Sequence, residues 1–306
     1  MALDTSKPGW GRLLEPGLRK IFFDTWKELP AQYQKVFNVL NSQKHTEHDL
    51  SLTGFGPWEP RTSEHSAVPY DDPMDGFEVN YTHTEFLKGF KVTRAMVDDE
   101  QYNQINKLPA NLARSGRAKV EIDAADVLNK GFEKIGYDGE PLFSTDHPLK
   151  RAANKGSNLI EVSNVSSPED LLNEDTVNQA ILLARKTTDD AGLKIVVMPK
   201  YIVVPPELEA QATRVIQSAQ RPGTDFNDVN TVRGKLQIVV MDYLDNPNAF
   251  FLLDPNIHQL NFFWRRKPEF GSTTDFDTLE AKYRGYMRYS VGYSNWRGVI
   301  GVRSAA

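Results

Sequence analysis

The chain has 306 residues and a mass of 34.6 kDa, with 36 Lys+Arg against 41 Asp+Glu, a net charge of −5 and a pI near 5.8. That is about two domains of ordinary length, and the acidic balance argues against a strongly basic nucleic-acid binder. The absence of cysteine excludes disulfides, thiolate zinc sites, iron–sulfur ligation and a cysteine nucleophile. No apolar run reaches the roughly 18 residues that span a bilayer, and Met-Ala-Leu-Asp-Thr-Ser-Lys at the N-terminus has no apolar stretch behind its first basic residue, so no secretory signal is read. A mean hydropathy of −0.50 with 40% hydrophobic residues is lean for a self-sufficient globule, which predicts that part of the stability comes from partners.

Residues 1–50 read as an arm. Leu18, Ile21, Phe22, Trp26 and Leu29 follow Pro16 at helical spacing; Pro30 interrupts them, and Tyr33, Val36, Phe37 and Leu40 form a second stripe. Such stripes pack either on the chain's own core or on a neighbouring subunit, and Phe22 and Trp26 are candidate contacts for the second case. Residues 51–84 read as a long hairpin. A polar tip from Glu59 to Pro73 is followed by Phe77, Val79, Tyr81 and His83 alternating with polar residues. An isolated hairpin is marginal in water, so this one needs a surface to lean on.

Phe90 to Arg94 continues as strand, and Asp98-Asp99-Glu100 predicts a helix start, where the macrodipole favours acid. A long helix is predicted over 109–135, with Pro109 in its first turn, Ala118, Ile122, Ala125, Leu128, Phe132 and Ile135 on one face and Gly136 as C-cap. Beyond a loop the pattern turns α+β. Ser166-Ser-Pro-Glu169 and Asn173-Glu-Asp175 open helices, and 205–219 reads as another. Strands are predicted at 194–198, 201–204, 236–241 and 249–253. The last stretch is extended and aromatic: Leu260, Phe262 and Trp264 alternate, then Tyr283 to Tyr293, and Trp296 to Val302 ends the chain on a strand.

Few motifs carry chemistry. His45-Thr-Glu-His48 places two histidines three apart without a third ligand, and Ser144-Thr-Asp146-His147 holds the letters of a hydrolase triad as sequence neighbours, which cannot adopt the required geometry. Gly54-Phe-Gly56 lacks the third glycine of a phosphate loop. Asn80-Tyr-Thr82 and Asn164-Val-Ser166 match glycosylation sequons that mean little without a signal peptide. Acid pairs such as Asp71-Asp72 and Asp189-Asp190 read as solvated surface. No catalytic, cofactor or metal residue is assigned. Arg265-Arg-Lys267 and the Arg284/Arg288 face are the basic clusters, open to DNA phosphates, a neighbour's acidic loop or solvent.

The order of arm, polar hairpin, long helix, α+β unit and aromatic strands resembles the tailed-phage major capsid proteins of the Hong Kong 97-type fold, and Mu-type major head subunits in particular. The phrases that carry the likeness are Gly89-Phe-Lys-Val-Thr-Arg94, Val97-Asp-Asp-Glu-Gln-Tyr102, Asn106-Lys-Leu-Pro-Ala110, Val127-Leu-Asn-Lys-Gly-Phe132, Gly139-Glu-Pro-Leu-Phe-Ser-Thr-Asp-His-Pro148 and Lys200-Tyr-Ile-Val-Val-Pro-Pro206. The resemblance implies an N-terminal arm (1–50), an E-loop (51–84), a peripheral domain (85–158) with a spine helix (109–135), an axial domain (159–255) and terminal strands (256–306) returning to the peripheral domain. It implies a virion protein, assembled in the host cytoplasm into hexamers and pentamers around double-stranded DNA, with a portal protein, a decoration protein and non-specific DNA contact. Because an arm alone precedes the loop, a separate scaffolding protein is expected. An encapsulin-like nanocompartment shell is the alternative within the fold, and a β-rich hydrolase or carbohydrate-binding protein the alternative outside it. Residues 51–87 contain no lysine, so a non-covalent shell is expected. The loop carries Glu59, Glu64, Asp71, Asp72 and Asp75 against Arg61, whereas the helix carries Arg114, Arg117 and Lys119. Charge therefore predicts that one subunit's loop lies over another's helix.

Overall fold

The computed structural model describes residues 10–58, 60–61, 68, 70, 72, 74–149, 161–167, 172–221, 228–275 and 280–304. Glu59, Glu64 and Asp71, and Pro168 and Glu169 of the helix start predicted at Ser166-Ser-Pro-Glu169, lie outside those residues. The architecture is α+β and is built on two sheets.

The first sheet takes its length from the aromatic C-terminal stretch. Strands β11 (Leu260–Asp275) and β12 (Glu280–Tyr293) pair antiparallel, with β1 (Asn38–Asn41) and β4 (Thr84–Thr93) at the edges, in the order β1-β11-β12-β4. Alternation decides the faces: Tyr283 and Tyr289 stack on Phe90 and Phe86 of β4 at 5.1 and 4.6 Å between ring centroids. The helix α1 (Trp10–Glu28) lies against this sheet, burying Trp10, Leu18 and Phe22 among Phe270, Tyr283 and Val92. Gly11 makes the approach feasible, since a Cβ there would sit 2.6 Å from the Ala281 Cβ. The second stripe of the arm is helical for one turn only, α2 (Tyr33–Val36). Leu40 lies instead on β1, because Asn38 to Asn41 pair in parallel with Asn261 to Trp264. That ladder offers the backbone partners that a second helical turn would otherwise supply.

Strands β2 (Thr46–Leu52) and β3 (Asp75–Thr82) form the hairpin, with Thr46 opposite Thr82 and Leu52 opposite Asp75. It starts at 46 rather than 51, so His45 lies just before β2 and His48 on it, and the two do not share a helix face. The short helices α3 (Arg94–Asp98) and α4 (Tyr102–Ile105) come next. Asp98-Asp99-Glu100 ends α3 rather than opening a helix: Thr93 accepts the Met96 N–H at 3.3 Å and so fixes the start upstream.

The long helix α5 spans Lys107–Asn129. It begins two residues before the expected 109 and ends six before 135. The reason is Gly131, whose N–H bonds to the Leu128 carbonyl at 3.1 Å and over which the Phe143 ring packs, 2.7 Å from where a Cβ would lie. The chain turns there, Phe132 stacks on Phe143, and Gly136 closes a later turn onto the Glu140 carbonyl instead of capping the helix.

Strands β5 (His147–Pro148) and β6 (Glu161–Val162) form a two-residue ladder. The second sheet contains β7 (Val165–Ser166), β8 (Tyr201–Val204), β9 (Gln237–Val240), β10 (Ala249–Leu253) and β13 (Val299–Arg303), in the order β7-β13-β10-β8-β9. One face, with Ile202, Val204, Phe250 and Leu252, packs on helices α6 (Glu174–Lys186) and α7 (Glu209–Gln217). The other face, with Val203, Phe251 and Leu253, merges with Leu128 of α5 and Phe262 of the first sheet. A capping box between Asn173 and Thr176 starts α6. Residues 194–198 form an isolated bridge at Lys194 rather than a strand. The last stretch divides between the sheets: β11 and β12 belong to the first, whereas β13 pairs with β10 and β7 of the second.

Candidate functional site

The hairpin is held at its root and open beyond it. Tyr81 is buried, its hydroxyl 2.6 Å from the Ser294 Oγ and its ring against Phe263. Next to it His83 is buried between the hydroxyls of Ser42 and Ser290, each 2.9 Å from a ring nitrogen. Burial, helped by the positive charge of Arg288, holds the His83 imidazole below its ordinary range. Ser42 Oγ donates to Glu47 at 2.6 Å, which lowers that carboxyl. Farther out, Phe77 meets Tyr137 edge-on and Gly54 lies beside Asp189. Beyond these contacts Leu50, Leu52, Phe55, Trp58, Val68 and Tyr70 are exposed. Large apolar side chains exposed along one segment offer surface for a partner to bury.

The candidate contact residues divide on inspection. Phe22, 3% exposed, packs on Phe270 and Trp26 of its own chain, so the stripe is a home contact there. Trp26 is half-buried beside it. Arg117, 8% exposed, donates to the carbonyls of Pro30 and Leu29 at 3.2 and 3.3 Å and lies over the Trp26 and Tyr33 rings. It therefore anchors the arm and is no free cation. Lys119 is exposed but pairs with Asp123 at 2.6 Å one turn on. Arg114 is exposed, as are Arg61, Asp72 and Asp75 at the hairpin tip. In the basic stretch, β11 bulges between Trp264 and Glu269, and Arg266 and Lys267 are exposed; Arg288 pairs with Glu85 at 3.5 Å.

Residues 77–302, about three-quarters of the chain, match the phage capsid protein family. The chain belongs to that family. A curated relative, the Mu-like prophage FluMu major head subunit of Haemophilus influenzae, is 24% identical over 159 residues, 52% of this chain and 50% of that one. This chain thus spans about half the length of the curated relative it matches. Among solved structures, the capsid of bacteriophage JBD30 decorated with minor capsid protein trimers aligns with a TM-score of 0.54 and 16% identity, covering 71% of this chain and 92% of the other. A virus-like particle from Pyrococcus furiosus aligns at 0.57 and 9%, covering 94% and 98%. The fold is the Hong Kong 97-type capsid fold.

In this capsid-family chain the letters of a hydrolase triad have a structural use. His147 is fully buried, with Nδ1 2.7 Å from Asp138 and Nε2 3.1 Å from the Asn164 Oδ1, and it stacks on Trp296. Asn164 Oδ1 also accepts the Ser144 N–H, while Nδ2 donates to the carbonyls of Leu142 and Val299. The ring therefore faces Asp138 and Asn164, and Ser144 Oγ donates to Glu140 instead. The residues join β7 and β13 to the loop after α5. Among the described residues there is no cluster of three or more metal-type ligands, and no helix is long and apolar enough to cross a membrane.

One surface escaped the sequence reading. Between α1, α5 and the β4–β12 pair lies a cleft of about 390 Å³, lined by Trp26, Phe86, Leu87, Lys88, Leu112 and Gly116 among others. Its lining comes from five separate stretches of the chain, so spacing along the sequence does not reveal it.

Proposed function

We propose that the chain is the major head subunit of a tailed-phage shell, self-assembling into hexamers and pentamers that enclose double-stranded DNA. The observation that carries the proposal is the family match over residues 77–302, joined to a hairpin segment that leaves Leu50, Leu52, Phe55 and Trp58 exposed. In this reading the first sheet with α5 is the peripheral domain and the second sheet with α6 and α7 the axial domain. The residues before β2 act as the arm and the β2–β3 hairpin as the E-loop. The work of the molecule is burial between copies rather than catalysis. Assembly in the host cytoplasm with a scaffolding protein and a portal protein belongs to the same reading. So does a decoration protein, since the JBD30 capsid to which the fold is similar is described with minor capsid protein trimers.

Electron microscopy of the purified chain tests the proposal: closed polyhedral particles are expected, and a strictly monomeric product under assembly conditions overturns it. The fold likeness to a virus-like particle keeps a nanocompartment shell as the second reading. DNA-filled heads support the first reading, whereas a packaged enzyme supports the second. The loop's acid is proposed to face basic residues of a neighbour, with Arg114 and Lys119 the exposed candidates on α5. Reversing the charge of Asp71 and Asp72 together should lower particle yield, and an unchanged yield would remove the electrostatic part of the proposal.

A further inference from the structure

Trp58 is 99% exposed, close to the maximum a tryptophan can present. An indole left this exposed is apolar surface that a partner can bury, and tryptophan is among the residues enriched as anchors of protein interfaces. The cleft between α1, α5 and the β4–β12 pair is the largely apolar concavity in which such an anchor fits. Gly116 lets the Trp26 ring close on α5, since a Cβ there would come within 2.9 Å of it, and Ser115 and Gly285 add little bulk to the lining.

The hairpin of the same chain runs away from this cleft. It leaves the sheet at His83, passes Tyr137 beyond the C-terminal end of α5, and brings Gly54 beside Asp189. The cleft lies on the other side of that root, at residues 85–88 of β4 and the N-terminal half of α5. Eight residues of strand at about 3.3 Å each carry the outer end of β3 roughly 25 Å from the root. The basic part of the rim and the tip are complementary in charge, and Glu85, which also lines the cleft, is paired with Arg288. Lys88, whose Nζ donates to the Ser115 Oγ at 2.9 Å, and Lys119 edge the cleft. Glu59 follows Trp58 in the sequence, and Asp71, Asp72 and Asp75 close the same loop.

We propose that the cleft beside Gly116 is the receptor for Trp58 of a second copy of this chain. The indole would fill the space between Trp26, Leu87 and Leu112, and the acidic residues of the tip would meet Lys88 and Lys119 at its edge. This rests on the reading that copies of the chain assemble, and it adds the anchor and the pocket.

The natural absence of cysteine makes the test direct. In the full chain carrying Trp58→Cys and Ser115→Cys, oxidation of assembled particles should give a ladder of disulfide-linked multimers on a non-reducing gel, collapsing to one band on reduction. Particles without the ladder, or with a disulfide closed inside one chain, would overturn the pairing. Trp58→Ala should lower particle yield on the order of tenfold or more, with the subunit's circular dichroism and thermal melt unchanged, and Trp58→Phe should restore most of it. Wild-type yield from Trp58→Ala overturns the inference and leaves the shell reading intact. An unmutated chain that forms no particles would count against the shell reading itself.

Discussion

A buried arginine decides how the arm joins the body. Arg117 satisfies the carbonyls of Leu29 and Pro30 just past the end of α1, and its partner Glu121 accepts the Gln32 and Tyr33 N–H groups at 3.1 and 2.9 Å. Each bond offsets a backbone group that a proline-broken helix would leave orphaned. Burial pushes the Glu121 carboxyl up, against the pull of those N–H groups and of Arg117. Arg117→Ala removes the cation and strands both carbonyls, so a loss of about 2–3 kcal/mol is expected in urea unfolding of the subunit. The hairpin root carries a second residue-scale prediction. His83 and His258 are both held below their ordinary range, mainly by burial. The unfolded chain therefore binds protons that the folded chain refuses, and stability falls as pH drops below about 6.5. Comparing unfolding free energies at pH 7.5 and pH 5 should show that loss, and His83→Gln should reduce the slope.

Helices and strands ended where side chains from elsewhere permitted. The apolar spacing of α5 continues through Phe132 and Ile135, so sequence periodicity alone extends the helix. What stops it is Phe143, twelve residues beyond Gly131, whose ring occupies the space the next turn needs. Leu40 likewise keeps helical spacing with Tyr33 and Val36, but the edge of β11 captured it. By contrast the alternating strands β11, β12 and β3 and the capped helix α6 were legible, because each carries its own periodicity or cap. The hairpin takes its strand pairing from within itself, β2 on β3. Replacing its tip, residues 53–74, with a short turn should leave the subunit's melting temperature within a few degrees while abolishing particles; a chain that no longer folds would show that the tip supports the core.

At the scale of the whole molecule, two sheets share one core through Leu128, Phe143 and Phe251, while the hairpin and a basic bulge stay at the periphery. With no cysteine in the chain and no lysine from residue 51 to 87, assembled particles should be held by burial and ion pairs. Boiling in denaturant should release a single band near 34.6 kDa, and a ladder of resistant multimers would contradict this. Moderate salt should weaken contacts made by exposed charges more than those made by buried side chains.

The sequence by itself determined the fold class, the alternating strands, the hairpin with its acidic tip and the likeness to capsid proteins, because those rest on periodicity, composition and phrase order that neighbouring residues carry. Which candidate contacts turn inward was decided only by tertiary structure. Phe22 and Arg117 turn inward while Trp58 stands exposed, and no one-dimensional pattern separates them. The cleft beside Gly116 exists only where α1, α5 and the β4–β12 pair converge. A concavity of that kind is a property of packing between elements distant in the chain, and charge and spacing along the chain do not encode it.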